Sequence, residues 1–313
     1  MCTAISMRGE RHLFGRTLDL ETGFGEQVVI TPSGYSFGSF KTKHRIIGVA
    51  AVRDGIPLYF DAMNERGLCA AALNFPEFAF YNSPKNGMLN IPSFNILPYV
   101  LGNCGDLEEA RELLSRVNVT DTPFSHTLPP TPLHWLIADR KSTICAEPEK
   151  NGLAIHDDPF GVMTNSPPFS YQSLRVNDFS CLSPTPPTNK ICPSVELSPY
   201  SRGLGAVGLP GDYSSTSRFI RALFALEHTL NENSQVSAFF HIMDTVAVPS
   251  GTVIAESGKA VRSIYTCCAD SDSMTYYFTT YGCRRIQAVR LAEICDDIVC
   301  FSMTNSEDFN NLN

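Results

Sequence analysis

The order of strand-like and helix-like runs predicts an α+β fold in which two sheets are covered by helical layers. Three observations carry that prediction. First, strand-like apolar runs fill residues 2–75, helix-like stripes follow between 91 and 117, and strands return at 133–147; two more helical stripes lie between 215 and 245, and a strand meander closes at 263–291. This grouping differs from strict strand–helix alternation, which would give a parallel doubly wound sheet. Second, clusters of Gly, Pro and Asn punctuate the strand-like runs as hairpin turns do. Third, the 313 residues are 43% hydrophobic and 18% charged, the balance of a folded globule able to bury a large core. Length alone leaves open one large domain or two smaller ones.

Residues 2–7 and 12–19 read as a hairpin around Arg8, Gly9, Glu10 and Arg11. Val28–Thr31 is a short strand ended by Pro32, Ser33 and Gly34, and Ile46–Val52 is apolar enough for a strand buried on both faces. Leu58–Met63 and Gly67–Phe75 flank Asn64, Glu65 and Arg66 as a second hairpin. A helix begins near Ile91 with Pro92 in its first turn, and Pro98 is expected to kink it. Asp106 with Glu109 resembles a cap for the next helix, whose apolar face holds Leu107, Ala110, Leu113, Leu114 and Val117. A proline-rich loop at 122–132 leads into strands 133–139 and 143–147. The Pro-, Ser- and Thr-rich stretch 166–200 reads as one long surface loop. After a Gly-rich turn at 203–212, Ser215 or Ser217 caps a helix running to about Leu230, and a second helix spans 234–245. Strands at 263–269, 274–281 and 286–291 complete the chain.

The net charge of -8, with no compensating basic run, argues against a nucleic-acid partner. No apolar run reaches membrane-spanning length, and no basic-then-apolar leader precedes the first strand, so no membrane insertion and a cytoplasmic location are expected. Eleven cysteines include no CxxC pair and no Cys/His cluster with zinc-ligand spacing, so no metal is expected. All but Cys2 read as reduced packing residues.

Cys2 stands apart because an initiator methionine before a small residue is commonly removed. The mature chain would then begin with a thiol and a free α-amino group on one residue, with ordinary pKa values of about 8.5 and about 7.7 to 8.0. An N-terminal amine is a known base for such a nucleophile. If 12–19 runs antiparallel to 2–7, Arg16 lies near the sulfur and favours thiolate, and Asp19 can accept a hydrogen bond from the amine. Asn165, where an apolar strand ends, reads either as a turn residue or as an amide donor to an oxyanion, and Asn74 faces the same choice. The Gly-rich turn before Arg218 lacks the Gly-Lys-Ser/Thr ending of a phosphate loop; it reads better as a device that delivers Arg218, itself otherwise a plain ion-pair residue.

Several segments together carry a resemblance: Met1-Cys2-Thr3, LFGRTLD at 13–19, NERGL at 64–68, LNFP at 73–76, GVMTNSP at 161–167, GLPGDY at 208–213 and SRF at 217–219. In this order, over nearly the whole chain, they resemble the choloylglycine hydrolase family of bile salt hydrolases and penicillin V acylases. The resemblance implies a single N-terminal nucleophile hydrolase domain over 2–313 with Met1 removed, a four-layer αββα sandwich of two antiparallel sheets, and a homotetramer. It implies that Cys2 is nucleophile and base, that Asp19 holds the amine, that Arg16 and Arg218 flank the thiol, and that Asn74 and Asn165 form the oxyanion hole, with no cofactor. LNFP, the Leu133-His134-Trp135 segment and Ser201-Arg202-Gly203 look most like bile salt hydrolases, which implies a conjugated bile acid as substrate and Arg202 near its glycine carboxylate or taurine sulfonate. Phe24, Phe60, Phe124 and Leu128 are candidates for an apolar pocket, although each taken singly reads more readily as ordinary core. Penicillin V or acyl-homoserine lactone hydrolysis is the nearer alternative and a catalytically silent binding protein the more distant one. A papain-like protease is disfavoured, because no Cys-Trp helix motif with downstream His and Asn is present.

Overall fold

The computed structural model describes residues 1–230, 235–291 and 296–309. In chain order it forms β1 (Cys2–Arg8), β2 (His12–Leu20), β3 (Gln27–Thr31), β4 (Ile46–Arg53), β5 (Ile56–Asn64), β6 (Cys69–Asn74) and β7 (Leu89–Pro92). Helices α1 (Ile96–Asn103) and α2 (Leu107–Leu114) follow, then β8 (Val117–Thr120), β9 (Leu133–Ala138), β10 (Thr143–Glu149), β11 (Gly152–Asp157) and β12 (Val162–Met163). The last third holds α3 (Phe169–Arg175), α4 (Ser215–His228), α5 (Gln235–Asp244), β13 (Arg262–Asp270), β14 (Thr275–Thr280), β15 (Gln287–Arg290) and β16 (Val299–Ser302).

Two antiparallel sheets organise these elements. One has six strands in the order β12-β1-β2-β13-β14-β15, the other eight in the order β11-β10-β9-β6-β5-β4-β3-β16. One apolar core joins the facing sides of both sheets and continues to α4 and α5; Ile5, Phe14, Met63, Leu136, Phe219 and Phe239 belong to it. A second core, including Trp135, Leu101 and Leu114, joins the outer side of the eight-stranded sheet to α1 and α2. The layers therefore run helix, sheet, sheet, helix, an αββα sandwich. Burying both sides of β1 explains why six of its seven residues are buried without alternation. The sheets' tight seams need glycine at Gly15, where an added Cβ would meet the Cys267 carbonyl oxygen at 1.9 Å.

Several elements differ from expectation. Leu89–Pro92 is a strand paired in parallel with β8, so Val117 leaves the α2 face and begins β8. Because the helix starts only at Ile96, Pro98 falls in its first turn, where a missing N–H removes no intrahelical bond; a kink is not required. Asp106 does cap α2, accepting from the Glu109 N–H. The 166–200 segment is not all loop: α3 and a 3₁₀ turn at Val176–Phe179 occupy its first part, with Phe169 and Gln172 buried. The cap of α4 is Ser214 rather than Ser215 or Ser217, because the Ser215 hydroxyl turns toward Thr164 and Asn165. Ser234, the expected start of the next helix, lies outside the described residues.

Candidate active site

The N-terminal hairpin builds the centre of the site. Its register pairs Cys2 with Leu18 and Ala4 with Arg16, so Cys2 and Arg16 are diagonal neighbours on one face of the sheet. That face looks toward the eight-stranded sheet. Arg16 is 1% exposed and donates from Nη2 to the Cys2 sulfur at 2.5 Å. Its Nε and Nη1 donors are fixed by backbone oxygens of Thr17 (3.1 Å), Phe60 (3.3 Å) and Ala72 (2.6 Å). A guanidinium so placed puts a positive charge directly against the sulfur, where it can stabilise negative charge that develops there.

The other face of β1 meets α4. Arg218, fully buried one turn into α4, donates to the Cys2 carbonyl oxygen, to Thr3 Oγ1 at 2.7 Å and to Asn165 Oδ1 at 2.8 Å. Asn165 Oδ1 also accepts from the Cys2 N–H at 2.7 Å, while Asn165 Nδ2 donates to the Asn74 carbonyl oxygen at 2.8 Å. One amide thus ties the ends of β1, β6 and β12 together. The Asp19 carboxylate, on the Thr3 face of β2, accepts from Thr17 Oγ1 at 3.0 Å and Ser263 Oγ at 2.5 Å. With Met1 present, the Cys2 nitrogen is a peptide amide and its partner is Asn165; the Met1 amine bonds the Asp19 backbone oxygen at 2.6 Å.

Cys2, Arg16 and Asn74 open onto a cavity of about 360 Å³ whose remaining wall is mainly apolar. Phe24, Phe60, Phe124 and Leu128 all line it, and Phe24 stacks on Phe60 with ring centroids 5.9 Å apart. Leu20, Leu58, Phe94 and Leu133 add further apolar surface. Among the described residues, the only charged one in the lining besides Arg16 is Arg53, which ties down the Phe24 carbonyl at 2.6 Å. Arg202 is exposed and does not line this cavity. The sequence motifs thus bring together Cys2, Arg16, Asp19, Asn74, Asn165 and Arg218, and leave Arg202 outside.

Sequence reasoning missed the buried polar network behind Arg16. Asp61, 1% exposed, accepts from the Tyr265 hydroxyl at 2.5 Å, from the Tyr276 hydroxyl and from Cys267 Sγ at 3.2 Å. Burial raises the Asp61 carboxyl above its usual range, outweighing Arg16 and those three donors. Burial also works against the Arg16 charge, but Cys2, Tyr265 and Asp61 more than offset it and hold its pKa above the ordinary arginine value. Arg218 shifts the opposite way, lowered by burial despite Asp19 and Cys2 nearby. A carboxylate inside the apolar run 58–63 was the one available signal for this network. Elsewhere, Glu147, Glu149 and His156 bring donor atoms within 4.8 Å of one another, but Glu147 is already engaged by His134 and the Phe169 N–H.

Comparison with known proteins follows the same lines. Residues 2–299 match the family described as linear amide C-N hydrolases, choloylglycine hydrolase family. The chain is 41% identical over 299 residues to a bile salt hydrolase/transferase of Lactiplantibacillus plantarum, covering 93% of this chain and 92% of that one. A solved conjugated bile acid hydrolase from Clostridium perfringens superposes with a TM-score of 0.94 at 31% identity, over 100% of both chains. A penicillin V acylase from Agrobacterium tumefaciens shares the fold, with a TM-score of 0.72 at 21% identity over 94% of this chain and 87% of that one.

Proposed function

This chain belongs to the choloylglycine hydrolase family of linear amide C–N hydrolases, and we propose that it cleaves the amide bond of glycine- or taurine-conjugated bile acids. Cys2 is the nucleophile once Met1 has been removed. Its freed amine takes the thiol proton, and the thiolate, favoured by Arg16, attacks the amide carbonyl carbon. Negative charge gathers on the carbonyl oxygen, which Asn74 and Asn165 stabilise. As the C–N bond breaks, the amine returns the proton to the departing glycine or taurine nitrogen. Water then attacks the thioester, releasing the bile acid and restoring thiol and amine. The acyl half of the substrate occupies the aromatic cavity, and Arg202 meets the anionic end of the conjugate from outside it.

The observation that carries this reading is Arg16 Nη2 on the Cys2 sulfur at the edge of a large apolar cavity. Charged nucleophile chemistry beside a wall of phenylalanines and leucines suits an amphipathic acyl group. A single domain over 2–313, a homotetramer and a cytoplasmic location belong to the same proposal and rest on the family resemblance; light scattering and cell fractionation test the last two. For the reaction, glycocholate, taurocholate and phenoxymethylpenicillin are offered side by side to protein whose loss of Met1 has been read by intact mass. Release of glycine or taurine is expected to dominate. Cleavage of phenoxymethylpenicillin with neither conjugate touched would overturn the bile-acid reading.

A further inference from the structure

His134 stands directly behind the two asparagines, and no step of the proposed reaction uses it. It lies on β9, where Leu73 pairs with His134 and Asn74 with Leu133. Its side chain is 2% exposed and that of its partner Glu147 is 1% exposed. Nε2 faces the Thr164 carbonyl oxygen at 2.8 Å, so that nitrogen carries a hydrogen and donates. Nδ1 faces Glu147 Oε1 at 3.0 Å, and both Glu147 oxygens accept from the Phe169 N–H at 3.1 Å. The Thr164 carbonyl can only accept, so it fixes the hydrogen on Nε2, while Glu147 on the opposite ring nitrogen fixes the orientation of the ring.

The two contacts of the ring touch the two asparagine segments. Thr164 is the residue before Asn165; Phe75, the residue after Asn74, stacks flat on the imidazole with centroids 4.2 Å apart and planes 9° from parallel. The segments also meet each other through Asn165 Nδ2 and the Asn74 carbonyl. A ring bonded to one segment and stacked on the other sets their separation.

We propose that His134, its ring oriented by Glu147, is a positioning residue that fixes Asn74 and Asn165 relative to the Cys2 sulfur. This rests on the proposed oxyanion role of those asparagines. Displacing transition-state donors by about 1 Å lowers turnover by about a hundredfold, whereas direct alkylation of a thiolate uses no oxyanion donor.

The test compares His134→Gln and His134→Met in the full chain with Met1 removed, since a Gln amide can replace the Nε2 hydrogen and Met cannot. Taurocholate turnover is read alongside the rate at which iodoacetamide alkylates Cys2, followed by peptide mass spectrometry. His134→Met is expected to lower kcat by at least about tenfold, with KM within about twofold and alkylation unchanged; His134→Gln is expected to stay within about threefold of the parent in kcat. Turnover of His134→Met within about twofold of the parent would overturn the assignment. So would loss of alkylation together with hydrolysis, which would make the residue a general structural support. If His134→Met does not fold, a folded His134→Gln that alkylates normally yet loses more than about tenfold in kcat overturns it as well. Failure of both variants to fold makes His134 a core residue and rejects the proposal. A parent that releases no taurine counts against the functional reading, a result separate from any difference between variants.

Discussion

Two fully buried arginines reach Cys2 from opposite faces of β1, and they sit in different electrostatic surroundings. Arg16, on the side between the sheets, faces the sulfur and has Asp61, Tyr265 and Cys267 behind it. Arg218, on the helix side, spends its donors on neutral acceptors: two carbonyl oxygens, a hydroxyl and an amide oxygen. Correspondingly, the first is held charged more firmly than an ordinary arginine and the second less firmly. Burial is common to both, so the difference lies in the anions each one meets. Arg16 is thereby suited to stabilising charge on sulfur, and Arg218 to holding the backbone and Asn165 in place.

Replacing each arginine by methionine separates these roles. Arg16→Met is expected to lower kcat by about a hundredfold and to slow Cys2 alkylation at neutral pH by at least about tenfold, because the sulfur loses its cation. Arg218→Met is expected to cost about 1 to 3 kcal/mol of stability by leaving buried neutral acceptors unpaired, with alkylation of whatever remains folded slowed far less. Equal loss of alkylation rate in the two variants would erase the distinction. Asp61→Asn sharpens the comparison at smaller scale. It removes the buried carboxyl behind Arg16 while keeping an acceptor for the tyrosine hydroxyls, so about tenfold in kcat is expected to go, with KM within about twofold. An unchanged kcat would place Asp61 outside the Arg16 network.

The inter-sheet side and the helix side were unequally legible in the sequence. Cys2 near Arg16 follows from pairing 2–7 with 12–19 in an antiparallel hairpin, because a period of two fixes which side chains share a face. Asp61 with Tyr265 and Tyr276 comes from two sheets pressing together, with partners about two hundred residues apart that no local pattern links. Two sheets with helical cover were readable from the grouping of elements, while the four-layer αββα order and the oxyanion role expected of the asparagines came with the family resemblance. The parallel β7–β8 pair was hidden because Pro92 reads as a first-turn helix residue although it ends a strand, and α3 because the Pro-rich stretch 166–200 reads as loop although Pro168 precedes a helix. Arg202 lies on an exposed turn outside the cavity lining, a placement set by loop packing that no local pattern specifies.

A second buried base on β2 tests whether burial alone decides charge. His12, four residues before Arg16, meets hydroxyls of Ser6 and Ser271. Burial pushes it from 6.5 to about 4, against the raising effects of Asp139 and Asp272 and together with the lowering effects of Arg8 and Arg140. Between those values the unfolded chain binds a proton that the folded one does not. Stability is therefore fully present above about 6.5 and is lost as pH falls through about 4. Compared with His12→Gln, the parent is expected to lose about 3 kcal/mol more on acidification across that window, read by urea unfolding at each pH. Parallel curves for the two proteins would mean that His12 does not titrate in the fold as its burial demands.

The smallest expected effect lies at the exposed Arg202. Arg202→Ala is expected to raise KM for taurocholate by no more than about threefold with kcat unchanged, since an exposed ion pair contributes roughly 0 to 1 kcal/mol. A taurine sulfonate and a glycine carboxylate present the same single charge, so the change should be similar for both conjugates and should shrink in high salt. The salt series is the sharper measurement. The effect of Arg16→Met should persist at high ionic strength because its charge is buried, whereas that of Arg202→Ala should fade. If the Arg202 effect survives high salt, its guanidinium closes onto the bound conjugate and shares the buried setting of the other two arginines. If both effects fade together, Arg16 reaches the sulfur through solvent, and the contrast between buried and exposed charge at this site disappears.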